Sequence, residues 1–145
     1  MKQSDLVRLS VKDGSRVEGH APTDASASSI HSQIYNTRGR GGEGGVEAIV
    51  HVHGPHSKAF SALGRELEMI NQDVCAYHDE QVLVPFGGMS TQFRAGAAGL
   101  MIGAVFDNKE GERIAKVMGN KTIGILQNHG TISLGKMSID EAAWW

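Results

Sequence analysis

The chain predicts one mixed α/β domain, and three observations carry that prediction. Apolar runs of strand length at residues 48–53, 82–86, 122–126 and 131–134 alternate with segments whose apolar residues recur at helical spacing. At 145 residues and 40% hydrophobic content, the chain can bury a single core. Its 19 glycines are bunched rather than spread, six between Gly39 and Gly54 and four between Gly87 and Gly99, so they punctuate elements instead of diluting them.

Taken in order, Leu6-Val7-Arg8-Leu9-Ser10-Val11 alternates as a strand, and Asp13-Gly14 turns it into a second short strand, Arg16-Val17-Glu18. A helix opens at Thr23 or Asp24, either of which can cap it. It carries Ala27, Ile30 and Ile34 on one side and ends near Arg38, with His31 as a structural residue. The glycine-rich stretch 38–46 is expected to be a linker loop. A phosphate cradle would need its glycines between a strand and a helix, and this run follows a helix and precedes a strand.

Gly54-Pro55 then starts a helix through Ala59, Phe60 and Leu63, stopped by Gly64. A further helix is expected over 66–78, with Leu67, Ile70, Val74 and Tyr77 on one side and Cys75 buried within it. After the strand at 82–86, residues 89–103 follow neither period and read as an irregular insertion. Asp107-Asn108 caps a helix over 109–118 that Gly119 ends. Strands 122–126 and 131–134 flank a tight turn at Asn128-His129-Gly130. Ser138-Ile139-Asp140-Glu141 is a capping box that opens a last helix, running to Trp144-Trp145.

A net charge of -2 with mixed signs argues against nucleic acid or an anionic membrane as partner and for small molecules or proteins. No apolar run reaches the roughly 20 residues of a membrane span, and the polar start gives no signal-peptide core. One cysteine excludes an internal disulfide, and a cytoplasmic setting is expected.

Chemistry concentrates at Ala48-Ile49-Val50-His51-Val52-His53. Strand alternation turns His51 and His53 to one face and Val50 and Val52 into the opposite layer. Two imidazoles on one face are half of a metal site. His129, at a strand end just before a glycine, is placed to supply a third, and three histidines with one position left open are a familiar way of holding catalytic zinc. His56 reads as a surface residue, and His20 and His78 have no assigned role.

Residues 48–53, Lys58-Ala59-Phe60-Ser61-Ala62, Gln127-Asn128-His129-Gly130, Gly135-Lys136 and Glu141-Ala142, in this order and spacing, resemble the class II aldolase/adducin family. Gln72-Asp73-Val74-Cys75 and residues 141–145 look closest to its adducin-like, fungal-type branch. The resemblance implies a three-layer α/β/α fold on a mainly antiparallel sheet, usually assembled as a homo-tetramer. It also implies a divalent metal, Zn(2+) in the aldolases, held by His51, His53 and His129 and used in cleaving sugar phosphates.

Three departures accompany the resemblance. Ser28 stands where the aldolases place an acid/base glutamate, with Asp24 one helical turn away as the nearest carboxylate. The family's opening helices and phosphate-binding turn precede the part matched here, and its last helix is cut short, so the domain is expected to be partial at both ends. The stretches 38–46 and 89–103 interrupt the matched blocks. Three functions stay open on this basis. One is a metal-dependent lyase or epimerase acting on a hydroxy-carbonyl or sugar-phosphate ligand. The second is a non-catalytic adducin-type module that binds actin and the cytoskeleton, and the third is an inactive gene-model fragment.

Overall fold

In the computed structural model the described residues are 2–39, 44–87 and 108–145. The insertion expected over 89–103 and residues 40–43 of the expected loop lie outside them. Near the N-terminus β1 (Arg8–Leu9) and β2 (Arg16–Glu18) pair antiparallel as a small sheet of their own, with Gly14 turning the chain at φ 69°. The expected alternation over residues 6–11 yields only a two-residue strand. Leu6 and Val11 stay 61% and 40% exposed, so no covering layer rewards longer pairing.

The main sheet contains β3 (Ala48–Val52), β4 (Gln81–Val84), β5 (Ile123–Leu126) and β6 (Gly130–Gly135), in the order β3-β6-β5-β4. Two of its pairings are antiparallel, β3 with β6 and β6 with β5, while β4 and β5 run parallel. Four helices accompany it among the described residues: α1 (Ala25–Arg38), α2 (Pro55–Ser61), α3 (Asn108–Met118) and α4 (Ile139–Trp144).

Register decides which face each residue serves. Ile49 lies opposite Leu134 and His51 opposite Ile132, and residues opposite one another share a face. Ile49, Ile132 and Leu134 pack with Ile30 and Ile34 of α1 and Ile114 and Met118 of α3, so the core sits between this face and the α1/α3 layer. The other face meets α4. Ser133, which alternates with Ile132 and Leu134, donates to the Ala142 carbonyl at 2.6 Å. These are the three layers expected. Val52, however, is 44% exposed rather than packed into the opposite layer. The reason is that α4 covers the Gly135 end of β6, which pairs with Ala48 at the far end of β3.

Capping chemistry sets the helix ends. Asp24 caps α1, its Oδ1 accepting from the Ser26 and Ala27 backbone amides at 2.8 and 3.1 Å. At the other end Arg38 belongs to α1 rather than to a loop. Its guanidinium donates to the carbonyls of Gly44, Gly119 and Lys121, tying the helix to the turn before β5. Val46, the last residue of the expected loop, is fully buried core. At α4 the Ser138 hydroxyl accepts from the Glu141 amide, but Glu141 reaches back to the Met137 amide instead of closing the box on Ser138.

Two expectations about residues 66–78 are corrected. No α-helix forms there; a single turn of 3₁₀ helix spans Val74–Tyr77. The preceding chain is tied to β4 instead. Leu67 exchanges two 2.8 Å hydrogen bonds with the Gln81 side chain, and the Leu83 amide donates to Glu66. Ile70, one of the residues that suggested the helix, is 79% exposed, so its apolar stripe has nothing to pack on. Cys75 is exposed, not buried, with its thiol on the Asn71 carbonyl.

Candidate metal centre

The end of β3 carries His51 and, one residue beyond the strand, His53, with Val52 between them turned the other way. Pairing of Val52 with Thr131 brings the next residues, His53 and Gly130, side by side. That approach requires glycine. A Cβ at Gly130 would stand 2.3 Å from the Val52 carbonyl oxygen and 3.1 Å from His53 Cδ2. The preceding turn, Gln127 to His129, reverses the chain with Asn128 at φ 60°, a left-handed conformation that Asn tolerates better than most residues.

The turn is anchored from several sides. The Gln127 amide donates to Val84, its side-chain carbonyl accepts from the Phe86 amide at 2.9 Å, and the Asn128 amide reaches the Ser61 carbonyl at the end of α2. His129 is therefore held by β4, α2 and β6 together.

Three imidazoles converge as a result. Ring centroids are 5.0 Å apart for His51 and His53, 4.8 Å for His51 and His129, and 4.7 Å for His53 and His129. One nitrogen from each can be chosen so that all lie within 4.8 Å of one another. Ligands bound tetrahedrally at the usual zinc–nitrogen length stand about 3.3 Å apart, and Nε2 of His51 is 3.3 Å from Nε2 of His53. The donor set thus fits a divalent cation. A hydrogen bond between two imidazoles would account for that one distance but not for the third ring.

Electrostatics favour the neutral form of His51 and His129. Burial, then the rings of His129, His31 and His53, pushes the His51 imidazole down to about 3, against a weak upward pull from Asp24. Burial lowers His129 as well, with His53 adding to it and Glu110 opposing. Neutral imidazole is the form that ligates a metal.

The helix α1 supplies the neighbours. His31, read from the sequence as structural, lies with its ring 5.9 Å from that of His51, and its buried Nε2 has no hydrogen-bond partner among the described residues. Its spacing of seven from Asp24 puts both on one line of the helix, a signal the sequence contained. Ser28 does not reach into the cluster: its hydroxyl donates to the Ala25 carbonyl at 3.0 Å. Asp24 is occupied as the helix cap, and its bonds to Ser26 and Ala27 hold its carboxyl below the ordinary range. His20, His56 and His78 are exposed.

All 145 residues match the family described as Class II Aldolase and Adducin N-terminal domain. The chain belongs to the class II aldolase/adducin family. Among curated relatives of this aldolase-type domain, Decarboxylase NovR of Streptomyces niveus is 33% identical over 144 residues, covering 98% of this chain and 45% of the relative. The meiotically up-regulated gene 14 protein of Schizosaccharomyces pombe is 31% identical over 145 residues, covering 99% and 48%. The domain thus spans about half the length of these relatives.

Solved structures agree with the fold. An aldolase II superfamily protein from Pseudomonas syringae superposes with a TM-score of 0.74 at 25% identity, over 96% of this chain and 48% of that one. An L-fuculose 1-phosphate aldolase from Glaciozyma antarctica gives 0.69 at 28% identity, over 97% and 47%. Among the described residues no helix is long and apolar enough to cross a membrane.

Proposed function

We propose that His51, His53 and His129 bind a divalent cation, zinc in the first instance, and that the chain carries the metal-centre half of a lyase acting on hydroxy-carbonyl compounds, sugar phosphates among them. The convergence of three imidazoles from two strand ends, with those of His51 and His129 held toward the neutral form by burial, is the observation that carries this reading. It draws support from relatives whose names describe a decarboxylase and a sugar-phosphate aldolase. Both reactions break a carbon–carbon bond and leave negative charge to be spread onto a neighbouring oxygen, and a bound divalent cation supplies Lewis-acid stabilisation of that charge.

The chain's own residues do the positioning. β3 fixes two imidazoles in register with β6, the Gly130 turn brings the third against them, and the α1 layer excludes water from the inner side of His51. Proton transfer has no carrier at Ser28, and Asp24, held ionised by its capping bonds, is a weak proton donor. Turnover of sugar phosphates by this chain alone is accordingly expected to be low. The same absence favours a second reading, a non-catalytic adducin-type module, for which co-sedimentation with actin filaments is the direct check.

Metal analysis of the purified protein beside a His51→Ala/His53→Ala double variant tests the centre. About one zinc per chain is expected in the native protein, falling by about tenfold or more in the variant. Equal zinc in both removes the site.

A further inference from the structure

Among the described residues, His31 is a buried polar group near this centre that the hydrogen bonds of the fold do not satisfy. It is carried by α1, in the layer that packs on the His51 face of the sheet. Its Nε2 is shut off from solvent and has no hydrogen-bond partner among the described residues. A buried polar atom left so is destabilising, and a stable fold tolerates it where something other than protein completes it. The nearest ring is that of His51, 5.9 Å away between centroids and tilted by 42°. Subtracting the two ring radii leaves at least about 3.6 Å between facing nitrogens, beyond a direct hydrogen bond and within the span that one intervening oxygen atom bridges.

Among the described residues the metal-competent cluster contains three histidines and no carboxylate. Ser28 is turned to its own helix backbone, and Asp24, whose Oδ1 is engaged in the helix cap, is not among the residues whose ligand atoms meet. Three imidazoles would leave one position of a tetrahedral ion open, and the unpartnered Nε2 of His31 is available to hydrogen-bond an oxygen entering it.

We propose that His31 is an oxygen-ligand-binding residue of this centre: its Nε2 hydrogen-bonds the oxygen, of water or of a hydroxy-carbonyl ligand, that takes the position left open by His51, His53 and His129. The inference rests on the metal-site reading above and adds to it a residue that selects the bound ligand without holding the ion. Ligands that place a second oxygen beside the first, as in a hydroxy-ketone, gain most, because one oxygen can face the ion while the other meets His31.

The test uses the full chain loaded with zinc and acetohydroxamate as the probe, a small chelator with the two adjacent oxygens of a hydroxy-carbonyl compound. Zinc content and the acetohydroxamate Kd are measured for the native protein, His31→Phe and His31→Gln. His31→Phe is expected to keep zinc within about twofold and to weaken acetohydroxamate about tenfold or more, the effect of losing one buried hydrogen bond to a charged ligand. His31→Gln, whose amide nitrogen restores a donor, is expected to recover most of the loss. A purely structural His31 predicts no such rescue, and acetohydroxamate binding unchanged in the Phe variant overturns the proposal. Should His31→Phe not fold, the ¹⁵N resonance of His31 Nε2 in the native zinc protein decides. It shifts when acetohydroxamate is added, or the proposal fails. Absence of zinc from the native protein overturns the metal reading and this one together, whereas zinc bound with acetohydroxamate indifferent to residue 31 overturns this one alone.

Discussion

His51 shows how one residue's surroundings set both its chemistry and its pH response. Its folded pKa of about 3 lies far below the ordinary imidazole value of 6.5, with burial as the largest cause and the rings of His129, His31 and His53 next. Between those two values the unfolded chain binds a proton that the folded chain refuses. The contribution is therefore fully present above about pH 6.5 and is lost as pH falls from there toward 3. His129 and His31 are lowered in the same direction, each chiefly by burial. Metal-free protein should accordingly show a urea midpoint that drops between pH 7.5 and 5. A His51→Gln variant should show a shallower drop, and a midpoint that is flat in the native protein would contradict the buried neutral rings.

At the scale of the element, the β5–β6 turn and the start of α1 illustrate two ways of fixing a backbone. The turn depends on missing volume. A methyl at Gly130 would collide with the Val52 carbonyl, and neither strand can yield without breaking the register that aligns His51 with Ile132. Gly130→Ala is expected to destabilise the fold by about 2–3 kcal/mol and to lower zinc uptake as well, since His53 and His129 are the residues displaced. Urea unfolding and zinc content measured on the same preparation check both effects. At α1 the fixing is by hydrogen bonds, three of them accepted by Asp24 Oδ1 from Ser26 and Ala27. Asp24→Ala should cost about 1 kcal/mol and leave zinc content within about twofold, because Asp24 caps the helix and is not among the residues whose ligand atoms meet.

Across the whole molecule, legibility in the sequence follows how local the determining interaction is. Asp24 as a cap, the stop at Gly119 and the turn before Gly130 are written in neighbouring residues, and the structure has each of them. The pair His51 and His53 follows from strand period alone, and its meeting with His129 was anticipated from the strand-end glycine. By contrast, the apolar stripe of residues 66–78 matched a helix in period but had no surface to bury against, and the Gln81 side chain captured the segment for the edge of β4 instead. The nearness of His31 to His51 is not written in neighbouring residues, for the corresponding reason. The partner ring is 20 residues away in sequence and reaches His31 only when α1 lies on the sheet. On the metal-site proposal, an ion held by His51, His53 and His129 would cross-link β3 and the β5–β6 turn, so occupancy and folding would be coupled. Free zinc held at 100 times its Kd should raise the unfolding free energy by about 2.7 kcal/mol, EDTA should cancel the increase, and the His51→Ala/His53→Ala variant should show none. Thermal unfolding at fixed free zinc reads all three. An equal zinc response in the variant would assign the stabilisation to some other site and leave the three converging imidazoles a purely structural cluster.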